Sequence, residues 1–305
     1  MKKICMDLGA TNIKVALFDE TDGELVVGKV SEVPTDADKG KQGIIAALKR
    51  ATELHIDSDV SEVAMSSAGN IDSEAKTITY ATDNLPGMTG FDYGKFFAEN
   101  YGLNVTVLND AHAALLAEVY YGAAANYTDK RVAMLTLGSG VGGGYAVCGH
   151  IVADKQNDYA RFGHICLFDG GLQCTCGKHG CAEMYLSGRA IHRDVDAVGL
   201  GNDLFSRYML DDKQAAEYVD KFCDRLNLLL SKVNAVCPFD VCVIGGGVAD
   251  WMGNAFDKIS AKLHYNTLRA TLGNAAGVYG AYVFGKTRLE KNCKQKVDRV
   301  SIRHH

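Results

Sequence analysis

Apolar positions along this chain switch repeatedly between a period of two and a period near 3.6, and the switches mark out its elements. Residues 3–8 form a short apolar run and 15–18 an alternating one, which predicts two strands joined by a turn of Gly, Ala, Thr and Asn. Helical spacing follows over 43–54, a strand over 62–66, a helix around 91–100, and a strand over 104–108 that delivers Asn109 and Asp110 to a helix over 111–121. From residue 131 the opening design returns, with a strand over 132–137, a glycine turn over 138–144 and an outgoing strand over 145–147. Helices over 184–198 and 213–235, a strand over 240–244 opening onto a glycine turn and a helix, and a last helix over 276–291 complete the pattern. Strands alternating with helices predict an α/β protein. Two strand–turn–strand units about 130 residues apart suggest two similar domains.

Composition narrows the class. A chain of 305 residues with 47% hydrophobic and 23% charged residues has room for two domains. A formal net charge of -5 provides no basic footprint for nucleic acid. No apolar run reaches the length of a membrane span, and Met1 leads almost directly into a strand with no signal-like segment, so a cytoplasmic location is expected. The ten cysteines then read as reduced thiols.

Four short stretches carry candidate chemistry. At the first turn, Asp7-Leu8-Gly9-Ala10-Thr11-Asn12-Ile13-Lys14 puts backbone N–H groups and a hydroxyl at a hairpin tip, where they can cradle phosphate while Asp7 holds a hydrated Mg2+; an acid and a glycine there also make an ordinary turn. The second turn, Gly138-Ser139-Gly140-Val141-Gly142-Gly143-Gly144, has apolar strands on both flanks, unlike a linker. It leads into a strand, so it is neither a P-loop nor a dinucleotide fingerprint. Asp110 at the end of a strand is either a base for a substrate hydroxyl or the cap of the following helix. Gly245-Gly246-Gly247 is either a shelf that a flat ring can approach or a tight strand-to-helix turn.

The least accidental residues lie between 161 and 183. His164, Cys174, Cys176 and Cys181 form an H-x9-C-x-C-x4-C array in a glycine-punctuated loop, a ligand set suited to one tetrahedral zinc. A disulfide within the trio would leave one thiol unpaired. With all four positions filled by protein, the metal would be structural and would pin the segment 161–164 and Glu183. His55, His112, His150, His179, His192 and His264 have no identifiable partner in the sequence.

In this order the motifs resemble those of the ROK family of sugar kinases and regulators, within the actin-like and hexokinase-like ATPase superfamily. The resemblance runs nearly end to end, through Asp7-x-Gly9-x-Thr11-x-x-Lys14, Asn84-Leu85-Pro86-Gly87, Asn109-Asp110, the run from Leu137 to Gly144, Gly163-His164, the zinc-loop cysteines, Glu183 and Gly245-Gly246-Gly247-Val248. It implies two ribonuclease-H-like lobes with a cleft between them, a duplicated βββαβα-type core and a structural zinc loop over 164–181. The small lobe would cover 1–112, rejoined by the C-terminal helix at about 285–305, and the large lobe 113–284. The chain leaves no room ahead of its first strand for the helix-turn-helix of the family's regulators.

By the same resemblance the activity is transfer of the γ-phosphoryl of ATP to a sugar hydroxyl, with Asp110 as general base. Sugar contacts fall on Asn84, Asn109, Asp110, His164, Glu183 and the position of Arg161. Phosphate contacts fall on Asp7, Gly9, Thr11, Asn12, Lys14, Gly138, Ser139 and Gly140, and adenosine contacts on Gly246 and Gly247. ATP, Mg2+ and Zn2+ are the implied cofactors, and a homodimer the implied assembly. One departure stands out: Arg161 occupies a position where the family has a glutamate that accepts hydrogen bonds from the sugar, and a guanidinium only donates. Either the substrate is acidic or otherwise atypical, or the chain is a weak kinase or sugar sensor. Ser67-Ala68-Gly69, Met88 and Ala275 also replace commoner residues.

Overall fold

Each predicted hairpin becomes the spine of a sheet. In the computed structural model, which describes residues 2–21, 24–152 and 161–287, the chain divides into two compact units. The first comprises residues 2–120 with 274–287, and the second 121–152 with 161–273.

The strands of the first unit are β1 (Lys2–Leu8), β2 (Asn12–Thr21), β3 (Glu24–Val27), β4 (Ser31–Pro34), β5 (Val60–Ser67), β6 (Asn70–Asp72), β7 (Thr77–Tyr80) and β8 (Asn104–Asn109). The main sheet runs β3-β2-β1-β5-β8, with β4 also pairing β2, while β6 and β7 form a separate hairpin. β1 and β2 are antiparallel, and β5 and β8 then add in parallel, which requires crossovers on the faces of the sheet. The helices α1 (Gly40–Glu53) and α2 (Tyr93–Tyr101) lie in those crossovers, and α3 (Asp110–Tyr121) follows β8. Ile4, Cys5, Met6 and Leu8 are fully buried, as expected of a central strand covered on both faces. α1 turns Ile44, Ala47, Leu48 and Ala51 inward at helical spacing.

The second unit repeats the plan. Its sheet runs β11-β10-β9-β12-β13, from β9 (Arg131–Leu137), β10 (Val141–Val147), β11 (His150–Ile151), β12 (Val241–Gly245) and β13 (Thr267–Arg269). Again an antiparallel hairpin, β9 with β10, is extended by a parallel strand, β12 beside β9. The helices are α4 (Glu183–Leu186), α5 (Gly188–Asp196), α6 (Leu204–Met209), α7 (Lys213–Val236), α8 (Gly247–Met252) and α9 (Ala255–Ser260). α7 is capped by the Asp212 carboxylate, which accepts the Ala215 N–H, and buries Val219, Phe222, Leu226, Leu229, Leu230 and Val233. The final helix, α10 (Ala276–Thr287), belongs to the first unit and packs on β1, β5 and β8.

Two boundaries differ from the sequence expectation in ways that a neighbouring side chain or a cap explains. β10 starts at Val141, so Gly142, Gly143 and Gly144 lie in the strand and the turn is only Gly138–Gly140. The Phe162 ring occupies the space a side chain on Gly143 would need, which explains a glycine inside a strand. The helix expected over 184–198 is two, because Ser187 is extended (φ -70, ψ 156) and its hydroxyl caps α5 at the Ala190 N–H. Residues 288–291 of the expected last helix, and 288–305 of the expected C-terminal return, lie outside the described residues. Among the described residues no helix is long and apolar enough to cross a membrane.

α10 approaches α3 so closely that a Cβ on Gly280 would overlap the Ala113 carbonyl. Gly280→Ala must therefore push the helices apart, and we expect a loss of about 1–3 kcal/mol, read as a lower urea midpoint. Ala at Gly138, which faces open space, is the control.

Candidate functional site

Parallel register brings the ends of three strands of the first unit level, with Leu8 opposite Ser67 and Ser67 opposite Asn109. Asp7 and Asp110 are thereby placed at the same end of the sheet, on β1 and just after β8, with β5 between them. Asp7 Oδ1 accepts the Ser66 hydroxyl at 2.7 Å, and its Oδ2 lies 4.0 Å from Lys14 Nζ, which also reaches Asn274 Oδ1 at 3.4 Å. Burial raises the Asp7 carboxyl above the ordinary range, while Ser66 and Lys14 pull it back.

Asn109 does the capping of α3. Its Oδ1 accepts the N–H groups of Ala111 (2.9 Å) and His112 (3.3 Å). Its amide donates to the Gly69 carbonyl and to Asp110 Oδ1, both at 2.9 Å. Asp110 Oδ1 also takes part of the Ala111 N–H at 2.9 Å, and Oδ2 has no hydrogen bond to another residue among those described. The Asp110 side chain opens to solvent on one side and is enclosed by protein on the others. That enclosure, and next the Asp7 charge, raises its carboxyl from 3.8 to about 6.

Other sequence-predicted residues of this unit are exposed or already engaged. Gly9 N–H donates to the Asn12 carbonyl, closing the first turn, and Gly9 O accepts the Thr35 hydroxyl at 2.8 Å. Thr11 is exposed, whereas the Asn12 side chain is held by Glu32 at 2.9 Å. Asn84 is exposed on a loop anchored by the fully buried Leu85 and Met88.

In the second unit His164, Cys174, Cys176 and Cys181 converge, their ligand atoms all within 4.8 Å of one another. The strands of the loop are stitched by Leu167 N–H to Gly180 O (2.7 Å), Ala182 N–H to Ile165 O (2.9 Å) and Cys174 N–H to Lys178 O (2.8 Å). Cys176 and Cys181 sulfurs are 3.6 Å apart, and Cys174 Sγ is 3.7 Å from His164 Nδ1. A disulfide needs about 2.05 Å. Sulfurs bound at about 2.3 Å around one tetrahedral ion lie about 3.8 Å apart, so the donor set fits zinc.

The segment behind this cluster grips the second turn. Glu183 Oε2 accepts the Val141 N–H at 3.0 Å, Gly188 N–H donates to Gly138 O at 2.7 Å, and Arg189 Nε donates to Ser139 O at 2.7 Å. A cavity of about 590 Å³ opens beside the turn. Gly138, Ser139 and Gly247 line it together, so the second and third glycine turns meet at one site, with Gly246 forming the bend that starts α8. Gly140 adjoins the Glu183 carboxylate.

His192 and Trp251, which the sequence reading did not select, wall the cavity. Their rings stack at 4.7 Å and 12°, and the indole N–H donates to Asn202 O at 3.0 Å. The available signal was that Trp251 is the chain's single tryptophan, one helical turn beyond Gly247. Arg161 is exposed, has no ion pair among the described residues, and its carbonyl accepts the His164 N–H at 2.9 Å.

This chain belongs to the ROK family, whose model matches residues 3–287. It is similar to a glucokinase of Halalkalibacterium halodurans, 31% identical with 90% of this chain and 92% of that one covered. It is likewise similar to an N-acetylmannosamine kinase of Shigella boydii, at 28% identity over 92% of this chain and 97% of the relative. Among solved structures it resembles a ROK family glucokinase of Streptomyces griseus in complex with glucose and AMPPNP. That likeness has a TM-score of 0.69 and 27% identity, covering 92% of this chain and 98% of that one.

Because the Asp7 charge is the second cause of the raised Asp110 carboxyl, Asp7→Asn should bring that carboxyl down from about 6 without restoring the ordinary value. Carboxyl NMR titration of the two proteins checks this; an unchanged Asp110 would leave burial as the only cause.

Proposed function

We propose that this protein transfers the γ-phosphoryl group of ATP to a hydroxyl of a sugar, with Asp110 as the general base. The observation that carries the reading is the Asp110 carboxylate, with Oδ1 fixed by Asn109 and Ala111 and Oδ2 left over for a substrate hydroxyl. Its raised carboxyl, near 6, suits a base working close to neutral pH. Relatives named glucokinase and N-acetylmannosamine kinase support the reaction class.

In this reading Asn84, Asn109, His164 and Glu183 orient the sugar. Gly9, Thr11, Asn12, Lys14 and the Gly138–Gly140 turn take the phosphates, and the cavity at Gly246 and Gly247 takes adenosine. Such transfer depends on positioning and on neutralising charge in line with the attacking oxygen, which the backbone N–H groups and Lys14 supply. Asp7 offers the oxygen donors that suit Mg2+, whose charge would offset that of the phosphates. His164, Cys174, Cys176 and Cys181 would hold a structural zinc that fixes the loop leading to Glu183. Family membership also supports a cytoplasmic homodimer.

Arg161 favours a second reading at the level of substrate. An exposed guanidinium without an ion pair among the described residues suits a uronate or another anionic sugar, or else marks a sensor that binds sugar without turning it over.

ADP release with Mg-ATP across neutral hexoses, N-acetylhexosamines and acidic sugars tests both readings. We expect turnover on one class, reduced about 10²–10⁴-fold in Asp110→Asn. Below pH 6 Asp110 is protonated and cannot accept a proton, so kcat/KM should climb as pH rises through about 6. Silence across the panel with sugar binding intact would establish the sensor.

Elemental analysis should find one zinc per chain, lost in Cys176→Ser. Because Glu183 holds the Val141 N–H, stripping the metal should weaken nucleotide binding as well as sugar binding. Calorimetry that showed nucleotide affinity untouched would disconnect the loop from the turn.

A further inference from the structure

Arginines of the second unit are, with two exceptions, neutralised by a carboxylate. Arg131 pairs with Asp240, Arg193 and Arg225 with Asp194, Arg207 with Asp212, and Arg269 with Asp250. Arg161 and Arg189 have no such partner among the described residues. Arg189 differs from Arg161 in its surroundings, because it lines the cavity beside Gly138 and Ser139. Its Nε is committed to the Ser139 carbonyl at 2.7 Å, which fixes the guanidinium plane against the turn. The Nη1 and Nη2 groups have no hydrogen bond among the described residues.

The turn itself has donors to spare. The Gly138 N–H is taken by Gly140 O, and the Val141 N–H by Glu183. The N–H groups of Ser139 and Gly140 have no acceptor among the described residues. The Ser139 N–H and an unneutralised fork of guanidinium donors therefore stand in a cavity that the flat His192–Trp251 stack also lines, with the Gly140 N–H next along the turn. A ligand that suits both the guanidinium fork and the flat rings carries an anion and an aromatic ring. A fixed guanidinium fork matches phosphate oxygens better than it matches a ring edge.

We propose that Arg189 is a nucleotide-binding residue that grips the phosphates of the donor, while its Nε holds the glycine turn in the shape that receives them. The proposal rests on the reading that this cavity binds nucleotide. It adds a residue outside both glycine turns, and a specific ligand group for it. Contact through phosphate makes Arg189 discriminate by phosphate number, which contact through the base does not; a lysine, which keeps the charge but not the Nε hold on Ser139, separates phosphate contact from support of the turn.

The test is the affinity of the wild-type chain, Arg189→Met and Arg189→Lys for ATP, ADP, AMP and adenosine. Calorimetry measures it, with the fluorescence of Trp251 as a second reporter; urea midpoints confirm that each variant is folded. In Arg189→Met we expect ATP and ADP to weaken on the order of tenfold or more, with adenosine within about twofold of wild type. Arg189→Lys, which keeps the charge but lacks the Nε–H donor, should recover part of the ADP affinity. Equal weakening of adenosine and ADP, or no change in any of the four, overturns the proposal. Absence of nucleotide binding by the wild-type chain removes the proposal together with the reading beneath it. Binding without ADP release on any sugar fails the kinase reading alone, and the ADP-to-adenosine comparison still decides the role of Arg189.

Discussion

A carboxylate at the head of α4, Glu183, accepts the N–H of Val141 where β10 begins, and much of the second unit is arranged so that this bond can form. Hydrogen bonds to an ionised acceptor are among the stronger ones a protein makes, and this one ends a chain of constraint. The Cys/His cluster closes the loop from His164 to Cys181, and Ala182 is fully buried behind it, so the start of α4 has little freedom. Gly140 gives way on the other side, since a Cβ there would lie 2.5 Å from Glu183 Oε2. Gly188 and Arg189 then secure the two carbonyls ahead of it. A loop that looks in sequence like a local metal knot is thus coupled through hydrogen bonds to a turn some forty residues earlier.

The first unit solves a related problem with strand register. Leu8, Ser67 and Asn109 stand abreast, and the residues beside them bring two carboxylates to the same end of the sheet, one on each side of β5. Each acid has a polar attendant that fixes one oxygen, Ser66 for Asp7 and Asn109 for Asp110. Enclosure by protein on most sides, and next the Asp7 charge, raise the cost of ionising Asp110 and push its carboxyl up to about 6. Asn109 and Asp110 divide the work at the helix start: the amide accepts two N–H groups and Asp110 Oδ1 shares one of them, which leaves Oδ2 uninvolved in the cap.

Most elements were legible in the sequence because their period reports which face is buried, and the two strand–turn–strand units were visible as a repeat. Boundaries were misjudged where a single side chain from elsewhere overrules the local pattern. Gly142–Gly144 read as turn because three glycines have no β preference, yet they are strand because Phe162 fills the space over Gly143. The break at Ser187 left a signal in Ser187-Gly188, a capping residue before a poor helix former, which the apolar spacing on either side outweighed.

The sequence by itself determined the α/β class, the positions of the two hairpin turns and the identity of the Cys/His array, because each is written in spacing along the chain. Residues that work by meeting distant partners were beyond it. His192 had no identifiable partner until the fold laid it on Trp251, and nothing singled out Arg189 until the fold set it against Ser139. Whether Asp110 or its neighbour caps α3, and how far burial raises its carboxyl, depends on Gly69 and Asp7 arriving from other strands. Spacing records what a residue can do, whereas exposure, charge environment and partners exist only once the chain has folded.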